Sequence, residues 1–170
     1  TGLEHSAVFF RDQPLAPRDL VGFARRFGKI VKYHFLKPLP DAPEVIVVQK
    51  LEHETSNFGG TWHTDTTYLA EPPAATMLIA REIPPQGGDT CFASGYAAYD
   101  ALSDGMKRLL DPLRGVNSSV LADISRTRED GTNLPYQAFE AEHPVVRTHP
   151  ETGRQARFVS SSHTSRLAGM

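Results

Sequence analysis

His63 and Asp65 are the two residues of this sequence whose types and spacing are best suited to hold a metal ion. They lie in the threonine-rich stretch 61–68. If this stretch is a β-strand, alternate residues share a face, so the imidazole and the carboxylate point the same way. A second histidine from elsewhere would complete a two-histidine, one-carboxylate triad, which holds non-haem Fe(II) and leaves positions open for dioxygen and a co-substrate.

A His-x-Asp triplet is short enough to occur by chance, so its surroundings decide how it is interpreted. Residues 61–68 have high β-propensity. They follow Gly59-Gly60 and precede Pro72-Pro73, which predicts a short, bounded strand. Burying a histidine and an aspartate on the inner face of a strand without partners is costly. A bound metal would supply those partners.

The composition excludes some classes of function. The 170 residues are 39% hydrophobic and 22% charged, which predicts one catalytic domain, 1–170, with its own core. The formal net charge of −2 gives no reason to expect a nucleic-acid or anionic-membrane partner. No apolar run approaches the roughly 20 residues of a membrane span, and no signal peptide is recognisable. A cytoplasmic location is therefore expected, with the single cysteine, Cys91, buried in a strand.

Local signals predict three helices and several short strands. The helices are 17–27, with Pro17 first and Gly28 as its stop, and 94–102 and 103–110, with Ser94 and Ser103 as N-caps. The predicted strands are 6–10, 45–49, 61–68, 74–81, 89–93, 113–121, 143–149 and 156–160, the last two forming a hairpin. The polar stretch 122–142 is predicted to be a surface loop or lid.

Short strands between glycine and proline turns predict a mainly β fold with flanking helices, either a sandwich or a roll. The mouth of a roll is a cavity where several strands can converge on one ion. Two further residues are candidates for this site. Thr90 begins a predicted strand, and its hydroxyl can bond to backbone or donate to a carboxylate ligand. Tyr33, in a proline-rich loop, is either a surface residue or a substrate contact.

Seven motifs together resemble the taurine dioxygenase group (TauD/TfdA) of Fe(II)/2-oxoglutarate-dependent dioxygenases. They occur in the order of that family and extend over nearly the whole chain. The motifs are FFRDQ at 9–13, FARRFG at 23–28, WHTDTTY at 62–68, PP at 72–73, PPQGGDT at 84–90, AAYDALS at 97–103 and HPVVRTHPETGR at 143–154.

The resemblance implies a double-stranded β-helix, or jelly roll, that holds Fe(II) through His63 and Asp65. It implies that Thr90 hydrogen-bonds a carboxylate of 2-oxoglutarate. The implied reaction consumes dioxygen and 2-oxoglutarate, releases succinate and carbon dioxide, and hydroxylates a small, anionic organic substrate. A sulfonate, an alkyl sulfate or an aryloxyalkanoate fits that description.

The resemblance also predicts that this chain is incomplete at both ends. The family's second metal-binding histidine and its 2-oxoglutarate-binding arginine would follow Met170, and its opening strands would precede Thr1. His149 and His163 do not match the missing ligand. Members that act on taurine carry an asparagine where this chain has Gly59, and the position of a substrate-binding histidine falls on Tyr33, so taurine itself is not the expected substrate.

Two alternatives to the dioxygenase remain open from the sequence. One is a non-catalytic β-roll binding module that retains a relic of the metal motif. The other is a cupin-like metal enzyme without 2-oxoglutarate, which does not account for GGDT at 87–90. A homo-oligomer is a further possibility, because an exposed sheet edge can pair with a second copy.

Overall fold

The computed structural model describes residues 2–55, 57–121 and 137–170. The described residues form short helices and short antiparallel strands. In chain order they are α1 (Gly2–His5), α2 (Pro17–Ala24), β1 (Pro38–Leu39), β2 (Ala42–Ile46), α3 (Gly95–Asp100), α4 (Asp104–Leu110), β3 (Arg114–Ser118), β4 (Glu140–Pro144), β5 (Val146–Thr148), β6 (Gln155–Arg157) and β7 (Thr164–Leu167). Short 3₁₀ turns follow α2 at Arg25–Phe27 and β3 at Ser119–Leu121.

The three predicted helices are confirmed, because their termini are set by local contacts. Pro17 opens α2, and its 3₁₀ extension ends at Gly28, whose φ is 139°. The hydroxyl of Ser94 accepts a hydrogen bond from the amide of Ala97, and α3 begins there. Ser103 caps α4 in the same way. Such capping bonds satisfy amides that have no partner within the helix.

The largest described sheet is three-stranded and antiparallel, in the order β4-β3-β7. Gly115 in the central strand lies opposite His143 of β4 and Leu167 of β7. A Cβ atom at Gly115 would lie 3.2 Å from Cγ2 of Thr164 and 3.3 Å from Cγ1 of Val159, so a larger residue here would push these two side chains apart. Two-stranded pairs form between β1 and β2 and between β5 and β6, and the second pair is the predicted hairpin.

Apolar side chains form two separate clusters. The helical cluster contains buried Tyr99, Val145 and Val146; its partly buried members are Leu102, Leu110, Leu113, Val159 and Leu167. The aromatic cluster contains buried Phe35 and Tyr68; its partly buried members are Tyr33, Phe58, Leu69 and Phe139. Since Tyr68 ends the stretch that carries His63 and Asp65, the aromatic cluster lies directly beside the candidate metal ligands.

Four predicted strands are wrong. Residues 6–10, 61–68, 74–81 and 89–93 form no strand, and Cys91, expected to be buried, is exposed. High β-propensity describes residues that fit a pleated, half-buried surface. It supplies no partner, and these segments pair with no strand in the described parts of the chain. Their backbone is irregular or turned instead.

Other predicted boundaries also shift. The strand predicted at 45–49 begins earlier, at Ala42, because a tight turn after Leu39 pairs β2 with β1; Val47 and Val48 are exposed. The strand predicted at 143–149 is divided between β4 and β5 at Val145. The predicted loop or lid 122–142 lies mostly outside the described residues, but its last three residues belong to β4.

No helix in the described ranges is long and apolar enough to cross a membrane.

Candidate metal centre

His63 lies in an irregular segment and Asp65 begins a turn, residues 65–68, so the two side chains lie together without the predicted strand. The amide of Leu69 donates to the carbonyl oxygen of Thr66 at 3.0 Å. Thr66 has a φ of 50°, unusual for a β-branched residue. Its successors Thr67 and Tyr68 are both buried, which the alternating faces of a strand would not allow. The proximity of His63 and Asp65 is as predicted, but the strand that was expected to produce it does not form.

The imidazole of His63 is held by a backbone carbonyl two residues earlier in the chain. Its Nδ1 atom lies 2.7 Å from the carbonyl oxygen of Thr61. Because a carbonyl oxygen can only accept, Nδ1 carries the proton and donates it. Nε2 lies 3.1 Å from Oδ1 of Asp65. A histidine that ligates a metal through one nitrogen commonly donates the other N–H to a carbonyl or carboxylate, which fixes the tautomer and the ring.

Asp65 divides its two carboxylate oxygens between two neighbours. Oδ1 faces His63, while Oδ2 accepts a hydrogen bond of 2.6 Å from the hydroxyl of Thr76. Sequence reasoning missed Thr76, because no motif connects a threonine in an irregular segment to an aspartate eleven residues earlier.

The donor atoms of His63 and Asp65 have the chemistry and spacing of two adjacent metal ligands. Imidazole nitrogen and carboxylate oxygen bind first-row metals at about 2.1 Å, so two such donors at right angles around an ion lie about 3.0 Å apart. The distance between Nε2 and Oδ1 is 3.1 Å. The spacing of these two donors therefore matches that of adjacent ligands of a divalent metal ion.

The contact between His63 and Asp65 shifts the pKa of each side chain. The hydrogen bond to the Asp65 carboxylate raises the pKa of His63 above its ordinary value of 6.5. The hydrogen bond from His63, with a further one from Thr76, lowers the pKa of Asp65 below its ordinary value of 3.8. Without a metal, the site therefore favours an imidazolium beside a carboxylate, so a metal ion must displace the proton of His63.

A third imidazole, that of His163, lies beside this pair. Its ring centroid is 6.1 Å from that of His63 and 5.2 Å from the ring of Tyr68. The residue is only 6% exposed, and its Nδ1 atom has no hydrogen-bond partner among the residues that the structure describes. Burial, and then the neighbouring His63, lower the pKa of His163. The sequence prediction set His163 aside because it does not match the family position of the second metal-binding histidine, and its spacing from His63 gave no sign that the fold brings the two together.

The segment 62–69, which carries His63 and Asp65 and is called the metal-binding turn, is supported from the β4-β3-β7 sheet. Each of the three strands, or a residue next to it, contributes one contact. Before β7, the hydroxyl of Ser162 donates to the carbonyl of Trp62 at 3.2 Å, although the Trp62 side chain is 61% exposed. From β3, Asn117 accepts from Thr67 at 3.4 Å. From β4, Nε2 of His143 lies 2.9 Å from the carbonyl oxygen of Leu69, to which it donates.

Gly59 closes the site behind His63. Its φ is +69°, which side chains disfavour, and a Cβ atom would lie 3.2 Å from Cε1 of His63. Glycine suits this position, because any larger residue would need a strained backbone and a small shift of the His63 ring.

The other two sequence candidates lie in different surroundings. Tyr33 packs in the aromatic cluster, edge-on to Phe35 at 5.6 Å and to Phe58 at 6.3 Å between ring centroids. Thr90 is exposed, and no hydrogen bond among the described residues joins it to His63 or Asp65. Within the described ranges no group of three or more histidine, cysteine, aspartate or glutamate side chains could hold a metal. The described centre therefore offers two ligands.

A β-rich scaffold that presents a histidine and a carboxylate on adjacent positions of an ion is typical of mononuclear non-haem iron proteins. The chain belongs to the TauD/TfdA family: the family model "Taurine catabolism dioxygenase TauD, TfdA family" matches residues 2–170. The family assignment made from the sequence motifs is confirmed.

Curated relatives and solved structures agree with this assignment. The chain is 32% identical to an alpha-ketoglutarate-dependent sulfate ester dioxygenase of Pseudomonas putida, over 91% of this chain and 53% of the relative. It is 31% identical to an alpha-ketoglutarate-dependent 2,4-dichlorophenoxyacetate dioxygenase of Cupriavidus pinatubonensis, over 98% and 64%. The chain thus spans about half to two thirds of the length of these relatives.

The crystal structure of a taurine dioxygenase from Burkholderia xenovorans matches with a TM-score of 0.72 at 32% identity, covering 95% of this chain and 51% of that one. A second crystal structure, of AAD-2 in complex with Mn(II) and N-oxalylglycine, matches with a TM-score of 0.62 at 25% identity, over 95% and 56%. The predicted fold class, a mainly β jelly roll with flanking helices, is confirmed.

Proposed function

We propose that the protein containing this chain is an Fe(II)- and 2-oxoglutarate-dependent dioxygenase that hydroxylates a small anionic organic molecule. The observation that carries the proposal is the 3.1 Å separation of His63 Nε2 and Asp65 Oδ1, with the remaining polar atom of each side chain already bonded to protein. Family membership and the names of the relatives support it.

His63 and Asp65 would hold the metal in this proposal. When bound, Fe(II) supplies the redox chemistry by which dioxygen and 2-oxoglutarate become succinate and carbon dioxide while a substrate C–H bond is hydroxylated. The protein's part is to orient His63, through the bond from Nδ1 to the Thr61 carbonyl, so that Nε2 can bind the metal once its proton is displaced, and to keep the Asp65 carboxylate ionised. Thr90 is proposed to donate to a carboxylate of 2-oxoglutarate, and Tyr33 to contact the substrate.

Two protein ligands do not complete a facial triad, which needs a second histidine. We assign that histidine, and an arginine for the 2-oxoglutarate carboxylate, to the part of the family's length that this chain does not span. His163 is kept apart from the ligand set, since it does not match the family position.

The proposed substrate class follows the relatives. Their names include a sulfate ester, 2,4-dichlorophenoxyacetate and taurine, all of which are small molecules with an anionic group at physiological pH. The non-catalytic β-roll and the cupin-like enzyme are less favoured, because the named relatives are dioxygenases and the family model extends over residues 2–170.

The proposal is tested by titrating the complete polypeptide with Fe(II) and 2-oxoglutarate in the absence of oxygen. We expect the weak visible charge-transfer band of a keto acid chelated to iron. His63→Ala should abolish the band. The control variant His149→Gln should retain it, because His149 lies at the turn of the β5–β6 hairpin, where its Nδ1 accepts from the amide of Glu151.

Oxygen is then admitted with a sulfonate, an alkyl sulfate or an aryloxyalkanoate, and succinate is measured. Succinate formed in step with loss of one of these substrates supports the proposal. A folded protein that gives no band, or a band without succinate from any of the three classes, contradicts it.

A further inference from the structure

Of the two candidate ligands, Asp65 is held by a side chain from a separate segment, whereas the described support of His63 is the backbone carbonyl of Thr61. Thr76 lies eleven residues further along, beyond Pro72-Pro73, and its hydroxyl donates to Oδ2 of Asp65 at 2.6 Å. Hydrogen bonds from a hydroxyl to an ionised carboxylate are short and about twice as strong as those between neutral groups. The distance observed here is in that range.

The Thr76 hydroxyl does not serve the fold in any other described way. A threonine hydroxyl usually satisfies itself on nearby backbone, whereas this one reaches a carboxylate. Thr76 is exposed and belongs to no strand or helix, so its side chain contributes little to a core. Its one described polar contact is with the candidate metal ligand.

Without that contact, the Asp65 carboxylate would have rotational freedom. Rotation about the last side-chain bond of aspartate is broad and nearly two-fold, and the Asp65 side chain is 46% exposed. Either oxygen could then face His63, or both could bind one ion and occupy an extra coordination position. With Oδ2 bound to Thr76, only Oδ1 is presented beside Nε2.

We propose that Thr76 is a positioning residue for the metal centre: it holds Asp65 as a one-oxygen ligand and so keeps a coordination position open. The inference rests on the proposed function, in which His63 and Asp65 bind the metal. It adds a residue from outside the His-x-Asp triplet, whose role is exerted through Asp65 and not by contact with the metal or the substrate.

The test compares two variants of the complete polypeptide. Thr76→Val keeps the shape and β-branching but removes the hydroxyl, and Thr76→Ser keeps the hydroxyl. Mn(II) is the probe, and its free fraction is followed by electron paramagnetic resonance. We expect Thr76→Val to weaken Mn(II) binding by about 10- to 100-fold, the usual cost of losing an outer hydrogen bond to a metal ligand. Thr76→Ser should stay within about threefold of the wild type.

Two further measurements, the thermal unfolding midpoint and the spectrum of bound Mn(II), distinguish the proposed positioning role of Thr76 from a purely structural one. The thermal unfolding midpoint without metal should be the same for wild type and Thr76→Val. Thr148→Val, which removes an exposed hydroxyl from β5, is the matched control and should leave Mn(II) affinity unchanged. The spectrum of bound Mn(II) should also change in Thr76→Val, since the carboxylate would bind differently.

The outcomes distinguish the two proposals. If the wild type binds Mn(II) and Thr76→Val binds it equally well, the role of Thr76 is overturned and the metal site stands. If Thr76→Ser loses as much affinity as Thr76→Val, the hydroxyl is not the cause and the role is likewise overturned. If the folded wild type binds no Mn(II), the metal site fails, and the role of Thr76 fails with it.

Discussion

At the scale of single residues, the two candidate ligands are held in the same manner. Each uses one polar atom to fix its orientation and leaves the other for an ion. His63 gives Nδ1 to the Thr61 carbonyl, and Asp65 gives Oδ2 to Thr76. A site in which supporting hydrogen bonds orient the ligands loses less freedom when the metal binds. This arrangement, more than the His-x-Asp spacing, distinguishes the site from a chance triplet.

Metal binding is expected to weaken at low pH because of His63. The pKa of its imidazole is raised above 6.5 by Asp65, so below that raised value a proton occupies Nε2 and competes with the metal. Asp65 has a lowered pKa and stays ionised through this range. The apparent affinity for Mn(II) should fall by about tenfold per pH unit below the pKa of His63 and level off above it.

Titration of the protein with Mn(II) between pH 6 and pH 9 checks this expectation, with calorimetry in two buffers to count the protons released. About one proton per metal should be released at the acidic end. His149→Gln should give the same curve. An affinity that is flat across the range would show that His63 does not compete with a proton for the metal.

At the scale of elements, the β4-β3-β7 sheet supports a turn that is not part of it. Asn117 in β3 is the central contact: it is 1% exposed, and its Oδ1 accepts from Thr67 at 3.4 Å and from Thr164 at 2.9 Å. Its amide nitrogen donates to the carbonyl of Gly115 at 3.2 Å. One buried amide thus joins the metal-binding turn to β3 and β7.

Replacing Asn117 should damage both stability and the site. In Asn117→Ala, the buried Thr67 hydroxyl and the half-buried Thr164 hydroxyl lose their acceptor and a small cavity forms, so the free energy of unfolding should fall by about 2–3 kcal/mol. Mn(II) affinity should also fall, because Thr67 is two residues from Asp65. Chemical denaturation and Mn(II) titration measure the two effects.

Ser165→Ala is the matched control for this prediction. It removes one hydrogen bond, to the carbonyl of Val116, within the same sheet but away from the turn. It should cost about 1 kcal/mol and leave Mn(II) affinity unchanged. If Asn117→Ala loses stability and keeps full metal affinity, the sheet does not position the turn.

The elements also show why some features were predictable from sequence and others were not. The helices at Pro17, Ser94 and Ser103 were predictable, because their start signals act within three residues. Residues 61–68 were not, because their conformation depends on contacts such as Ser162 with Trp62, a hundred residues apart. The contact of Thr76 with Asp65 and the proximity of His163 to His63 were not predictable for the same reason, whereas His63 and Asp65 lie within one motif of the resemblance.

At the scale of the whole molecule, the two apolar clusters pack different parts of the fold. The helical cluster joins α3 and α4 to the β5–β6 hairpin, and the aromatic cluster adjoins the metal-binding turn through Tyr68. Stability and metal binding should therefore be separable by mutation.

Val145 is the residue with which to test this separation, since it is 2% exposed in the helical cluster. Val145→Ala should lower the free energy of unfolding by about 2 kcal/mol through lost burial and a residual cavity. Mn(II) affinity should stay within about twofold of the wild type, since among the described residues the helical and aromatic clusters have no member in common. The exposed residue Val120 supplies the control, and Val120→Ala should change neither quantity. A large loss of Mn(II) affinity in folded Val145→Ala would mean that the clusters are coupled.

Three expectations about the whole molecule stay predictions. They are that it has a single catalytic domain, that it is cytoplasmic and that it associates into homo-oligomers. The lid predicted around Asp123 falls outside the described residues. The fold itself is secure at this scale, because residues 2–170 match the family model and 95% of the chain superposes on solved members.

Trp62 places a fluorescent side chain next to the candidate metal ligands. It is the only tryptophan among the 170 residues, it precedes His63, and its indole is 61% exposed while its carbonyl is held by Ser162. Within this chain, indole fluorescence therefore comes from a single position beside the two candidate ligands. A paramagnetic ion placed there would quench that emission, so the chain carries its own reporter of metal occupancy.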